Sequence, residues 1–209
     1  MTNAEWDKRF KEKGRLWGDE PSQTALESLD YIQQMKGGRL LDVGCGYGRD
    51  CKYFMGLRFD VTGIDVSAEA IKLAEESAPG AKYFVADATD IPLPDVSFNI
   101  IFSHLFLHLL YEDEKRTKFL DECMRLLRPG GLMLHSFFST DDPTFGEGEE
   151  IAKNTFHVPD KGRTARFFSE GEVRTDFTGF KICELKKLEE YHTHGGPHTH
   201  VYWFVVAKK

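Results

Sequence analysis

The run Gly44-Cys45-Gly46-Tyr47-Gly48, set in LLDVGCGYGRD, is the first place where residue type and spacing could do chemistry. Alternate glycines let a backbone turn sharply and come close to a ligand, because side chains at those positions would block the approach. The run follows an apolar stretch and precedes a helical one, and Asp65 closes the next apolar stretch, VTGID. A carboxylate there can accept hydrogen bonds from both ribose hydroxyls of an adenosine-containing ligand. The same residues could form a plain βα turn and a strand-end cap; their order and spacing favour nucleoside binding. Dinucleotide sites use G-x-G-x-x-G or A, and here Arg49 stands where the last small residue would be. Asp42 before the loop and Asp87 in FVADATD add carboxylates near the same sheet edge. They would repel a pyrophosphate but not a sulfonium or an ammonium, which favours S-adenosylmethionine over a nicotinamide cofactor.

Histidines supply the other candidates. His104 and His108 directly follow the FNIIFS stretch and could act as a general base, which methyl transfer requires only when the acceptor arrives protonated. Packing or helix capping is the alternative for both. Near the C-terminus lies HTHGGPHTH. If Gly195-Gly196-Pro197 is a three-residue turn, His194 faces His198 and His192 faces His200, all on one strand face. Zinc or nickel ligation, a substrate or base role, and a solvated hairpin tip all remain open there. The solvated tip is the simplest reading, and no metal is assigned.

The elements that must hold these groups alternate. Residues 39–43, 60–65, 82–86 and 98–103 read as buried strands, and 50–55, 68–77 and 112–127 as helices. Ser22 and Ser67 are placed to cap helices, and Ser169 with Glu172 to form a capping box. Arg128-Pro129-Gly130-Gly131 should stop a helix and turn the chain into a strand over 132–138. Strand–helix alternation calls for parallel βαβ units in a doubly wound α/β sheet. The last two strands, 180–190 and 201–207, have no helix between them and should pair antiparallel. KICELKKLEE suits an edge, whereas VYWFVVA is apolar on both faces, so the last strand should insert between the fifth and sixth. One domain over 1–209 is expected, with residues 1–36 as a helical cap and 139–168 as a lid or specificity insertion. Trp6, Phe10 and Trp17 would either line that lid or pack the first helix on the core.

Composition bounds the partners. Of 209 residues, 41% are hydrophobic and 29% charged, ordinary values for a globular protein. The net charge of −7, with no basic block among aromatics, weighs against a nucleic-acid substrate. No apolar run is long enough to span a membrane, and the N-terminus lacks a signal-peptide core. Four scattered cysteines without CxxC spacing suit a reduced cytoplasmic setting.

LLDVGCGYGRD, VTGIDVSAEAIKLA, FVADATDIPLPDVSFNIIFS and RLLRPGGLML, in that order, resemble class I S-adenosylmethionine-dependent methyltransferases. The opening WDKRFKEKGRLWGDEPS further resembles the small-molecule branch that includes tellurite-resistance and thiopurine methyltransferases. The resemblance implies a Rossmann-like, seven-stranded, mostly parallel sheet with an antiparallel last strand. It also implies that Gly44, Cys45, Gly46 and Gly48 cradle the methionine and ribose, and that Asp65 binds the ribose hydroxyls. Val66 would pack on adenine, Asp87 with Ala88 would meet its amino edge, Ser103 would flank the methyl, and Asp42 would orient the ammonium. The acceptor implied is a small molecule. A non-catalytic binder and a nicotinamide oxidoreductase are the alternatives from other classes.

Overall fold

Alternation of apolar residues sorts the strands' side chains onto two faces. In the computed structural model, which describes all residues except 36, 160–161 and 193–195 (and only the backbone at 34 and 192), Leu40, Ile100 and Val206 bury one way. Their neighbours Leu41, Ile101 and Val205 bury the other way. Strands β1 (Arg39–Val43), β2 (Asp60–Asp65), β3 (Lys82–Val85), β4 (Phe98–Ser103) and β5 (Leu127–Phe138) are parallel. β9 (Lys181–His192) and β10 (His198–Lys208) complete a sheet of order β3-β2-β1-β4-β5-β10-β9. β10 is antiparallel to both neighbours, so it inserts between β5 and β9 as its two-sided apolarity predicts. Its Trp203 and Val205 enter one core, and its Phe204 and Val206 the other. Each fully buried side chain of this size contributes about 1.5–3 kcal/mol.

One face of the sheet packs on α2 (Gln23–Ile32), α3 (Arg49–Gly56) and α4 (Ala68–Ser77), through Ala25, Ile32, Phe54 and Ile71. The other packs on α5 (Asp113–Leu126) and α6 (Glu170–Asp176), through Phe119, Leu126, Val173 and Phe177. Ser22 and Ser67 accept from the backbone N–H groups of Ala25 and Ala70, the caps expected of them. Ser169 and Glu172 form the capping box of α6. The first helix, α1 (Asn3–Lys13), ends at Gly14, φ 59°, short of Trp17, to which the pattern WDKRFKEKGRLW would carry it.

Three other features depart from expectation. β5 begins at Leu127, so Arg128-Pro129-Gly130-Gly131 lies inside the strand as a bulge, where register slips between Phe98 and Ile100. Within the insertion, β6 (Glu149–Ala152), β7 (Thr155–Val158) and β8 (Arg163–Arg166) form a small antiparallel sheet, not irregular chain. In the C-terminal hairpin His198 pairs with His192 and His200 with Glu190. The connection therefore runs over 193–197, longer than the three-residue turn, and His200 does not face His192. No described helix is long and apolar enough to cross a membrane.

Candidate active site

The glycine loop leaves β1 with left-handed backbone at Gly44 (φ 71°), Gly46 (φ 54°) and Gly48 (φ 78°). The N–H groups of Gly44 and Cys45 donate to the Ile64 carbonyl at 2.9 and 3.0 Å, which pins the loop to β2. A Cβ on Gly44 would lie 2.6 Å from the Phe106 ring. On Gly48 it would lie 3.1 Å from the Ala74 Cβ, so this glycine serves the approach of α3 to α4. Gly48 stands just behind the residues that line the cleft, at the start of α3. At the tip of β2, Asp65 accepts from the Gly46 N–H at 3.0 Å on one oxygen and from the Ser67 N–H at 2.9 Å on the other. Each carboxylate oxygen keeps further lone-pair capacity for a ligand hydroxyl.

These tips floor a cleft of about 390 Å³. Asp42, Gly44, Cys45, Gly46, Asp65 and Val66 line it, and so do Asp87, Ala88, His104 and His108. Asp87 is exposed and its Oδ1 caps the Thr89 backbone at 2.8 Å. Ser103 is fully buried, with its hydroxyl bonded to His135 Nδ1, and does not line the cleft. The β4–β5 pairing holds it there, since Ser103 and His135 sit side by side in register. From above, Trp6, Phe10 and Trp17 line the opening while stacking on one another and on Tyr47, so they both wall the cleft and pack α1.

Charge is unevenly spread along the cleft. Asp42 and Asp50 are buried at its inner end, and Cys51 donates its S–H to Asp42 at 3.2 Å. Burial pushes the Asp42 carboxyl well above the usual range, and the nearby carboxylate of Asp50 adds to this. Asp65 is also raised, by burial. A cationic ligand would relieve this crowding of acids; an anionic one would aggravate it.

The two histidines after β4 differ in setting. His104 bonds through Nδ1 to the Thr24 hydroxyl at 2.7 Å and to Ser136 at 3.2 Å, with Nε2 3.9 Å from Glu190. It belongs to a polar network that Tyr202 joins through Glu190. His108 is buried against Phe138, ring centroids 4.1 Å apart, and its Nδ1 has no hydrogen-bond partner among the described residues. Burial, and after it the neighbouring Arg163 guanidinium, lowers His108 to about 3. Sequence reading missed Asp50, Asp142 and Arg163. Asp50 had only its place after the loop to mark it; Asp142 and Arg163 sit in an insertion with no motif. His194 lies outside the described residues, and among these no group of three or more His, Cys, Asp or Glu could hold a metal.

Residues 41–135 match the family model described as a methyltransferase domain. That segment runs from β1 through the glycine loop and Asp65 to β5. Over that segment, 95 of the 209 residues, the chain is similar to S-adenosylmethionine-dependent methyltransferases. Among relatives of this family, it is 32% identical over 129 residues to phthiotriol/phenolphthiotriol dimycocerosates methyltransferase 1 of Mycobacterium ulcerans, covering 56% of this chain and 45% of that protein. It is 29% identical over 180 residues to tRNA N(3)-methylcytidine methyltransferase Mettl2 of Drosophila melanogaster, covering 79% and 54%. The chain thus spans about half the length of the curated relatives it matches. In fold, the chain is similar to 1,6-didemethyltoxoflavin-N1-methyltransferase of Burkholderia thailandensis, solved with bound 1,6-didemethyltoxoflavin and S-adenosylhomocysteine. The TM-score is 0.73 at 20% identity, over 99% of this chain and 86% of that one.

Proposed function

We propose that the protein transfers a methyl group from S-adenosylmethionine to a small-molecule acceptor by direct displacement. The observation that carries this reading is the clasp of Asp65 on Gly46, which sets a buried carboxylate against bare backbone in a cleft whose lining also includes the buried acids Asp42 and Asp50. Asp65 would take the ribose hydroxyls, Val66 and Ala88 the adenine faces, and Asp87 its amino edge. Gly44, Cys45 and Gly46 would follow the methionine chain, and Asp42, together with Asp50, would face the ammonium and sulfonium charges. Gly48 supports the loop from behind, and Ser103 supports the sheet.

Displacement at a sulfonium methyl needs a lined-up nucleophile and excluded water more than covalent help. Orientation of two bound reactants reaches on the order of 7–11 kcal/mol in well-aligned systems. α1 and the β6–β8 insertion, with residues 1–36 as cap and 139–168 as lid, would supply that enclosure. His104 would shape the inner end of the cleft through its bonds to Thr24 and Ser136. His108, held neutral by its burial, would hydrogen-bond the acceptor rather than take a proton from it. The net charge of −7 and a cleft of about 390 Å³ support a small acceptor over a nucleic acid, although one relative is named for tRNA. The buried free thiols of Cys45, Cys51 and Cys123 suit the reducing cytoplasm.

Two measurements test this reading. Calorimetry should show S-adenosylhomocysteine binding and no NAD binding; the reverse would point to the oxidoreductase alternative. A screen of small acceptors and tRNA with methyl-labelled donor should then label a small molecule. Label appearing only in tRNA would overturn the acceptor class, and label in neither would favour a non-catalytic binder.

A further inference from the structure

We propose that Arg9 and Arg163 together hold an oxyanion carried by the acceptor, so that the substrate is a small organic acid, carboxylate or phosphate, with an apolar body. This rests on the methyl-transfer reading above and narrows its acceptor. Both guanidiniums line the cleft, Arg9 from α1 and Arg163 from the start of β8. The two elements meet at its mouth, where Met1, Thr2 and Asn3 share a second hollow with Gly162 and Thr164, the residues on either side of Arg163. Acids are buried at the inner end of the cleft, so its two ends differ in the sign of their charge.

Arg9 is half-buried, with its guanidinium carbon 5.5 Å from the centre of the Trp6 ring and 5.7 Å from that of Trp17. These contacts fix where the charge sits without neutralising it. Among the described residues no carboxylate pairs with Arg9, and its one hydrogen bond goes to the Met1 thioether, a weak acceptor, at 3.9 Å. Burial, and after it the Arg163 guanidinium, lowers Arg9 from the usual arginine range. Arg163 gives one N–H to Glu147 at 3.0 Å and has no other hydrogen-bond partner among the described residues. Two like charges that share a cleft, one of them without a counter-ion, repel each other in the free protein. An oxyanion between them would turn that repulsion into attraction. Each guanidinium presents a planar fork of N–H donors that matches a carboxylate or a phosphate.

The cofactor's own carboxylate has a different cation to meet. Arg49 lines the cleft, acts by its charge on the carboxyls of Asp42 and Asp50, and donates to the Trp17 carbonyl at 3.1 Å. A methionine chain with its ammonium on those acids would lay its carboxylate toward Arg49, which leaves Arg9 and Arg163 to the acceptor. Trp6, Trp17 and Tyr111 line the same cleft and give the acid's body apolar surface. An acceptor anchored by its anion at the mouth would direct its far end inward, toward the sulfonium.

The test titrates the full-length protein, saturated with S-adenosylhomocysteine at fixed ionic strength, with benzoate, phenyl phosphate and benzamide, read by tryptophan fluorescence at Trp6 and Trp17. Benzamide keeps the shape of benzoate without its charge. One of the two anions should bind roughly tenfold or more tighter than benzamide, and which one does so names the oxyanion. Arg9→Gln and Arg163→Gln should each weaken that anion by roughly tenfold and leave S-adenosylhomocysteine affinity as it was. Lys118→Gln removes an equal charge from the exposed face of α5 and should change neither. Anions no tighter than benzamide, or held equally by both arginine variants, would overturn this inference. So would an arginine variant that loses S-adenosylhomocysteine yet keeps 5′-methylthioadenosine, which has no carboxylate, because that charge would then serve the cofactor. Failure of S-adenosylhomocysteine to bind the parent protein would instead overturn the methyl-transfer reading.

Discussion

Removing the Asp65 carboxylate should separate cofactor recognition from everything else in the cleft. Its two oxygens are each engaged by one backbone N–H, Gly46 at 3.0 Å and Ser67 at 2.9 Å, and each retains capacity for one ribose hydroxyl. A hydrogen bond to a charged group is worth about 1.5–3 kcal/mol, so two give roughly 3–6 kcal/mol gross. Burial already raises the Asp65 carboxyl, so its charge is costly in the free protein, and water can solvate the ribose in part once it is gone. A net loss of about 2–4 kcal/mol remains, or roughly 30- to 800-fold in dissociation constant. Calorimetry of Asp65→Ala with S-adenosylhomocysteine reads this directly. Asp65→Asn keeps one acceptor oxygen and should lose about half as much in free energy. Asp65→Ala also leaves the Gly46 and Ser67 N–H groups without their acceptor, so a thermal melt must show that the variant is folded. A folded Asp65→Ala that binds within about threefold of the parent would refute the assignment.

Other substitutions test other parts of the site. Gly44→Ala puts a Cβ 2.6 Å from the Phe106 ring at φ 71°. The backbone alone should cost about 1–2 kcal/mol, seen as a fall of about 2–8 °C in melting temperature together with weakened cofactor binding. An unchanged melt would mean the loop is not held as described. Ser103→Ala should cost about 1–3 kcal/mol of stability, because it strands Nδ1 of buried His135, while cofactor affinity stays put. A selective loss of affinity would restore Ser103 to the methyl site. Glu172 ties α6 to the insertion through Ser169, Lys153, Arg166 and Asn154. Burial pushes its carboxyl up, yet the Ser169 hydrogen bonds, with Lys153 and Arg166, draw it to about 2 from an ordinary 4.5. Because the folded value is depressed, its stabilisation is present above about 4.5 and is lost as pH falls toward about 2. Urea midpoints of parent and Glu172→Gln should therefore differ at neutral pH and converge in acid; a constant difference would contradict this.

Much of the frame is legible in the chain because its signals are local. Strands 39–43, 60–65 and 98–103 stand out as short apolar runs ending in glycine, aspartate or serine, and their bounds match β1, β2 and β4. The place of β10 is legible because VYWFVVA has no polar face to give to solvent. What escapes is decided by pairing over long separations. Asp142 reads as a turn former, and only the fold brings it to His200, 58 residues away. Ser103 ends its strand where a ligand contact is expected, but register with His135 turns it into the core. The hairpin histidines were misaligned because loop length, not side-chain identity, sets register. The bulge in β5 was hidden for a related reason, since Pro-Gly-Gly signals a break without saying whether pairing resumes on either side of it.

The most direct test of the account is a crystal structure of the protein with S-adenosylhomocysteine. Its ribose should sit on Asp65 beside Gly46, its amino group toward Asp42 and Asp50, and its sulfur open to the space walled by His108, Phe138 and His200. Ligand bound elsewhere, or in this cleft with the ribose away from Asp65, would contradict the account at its centre.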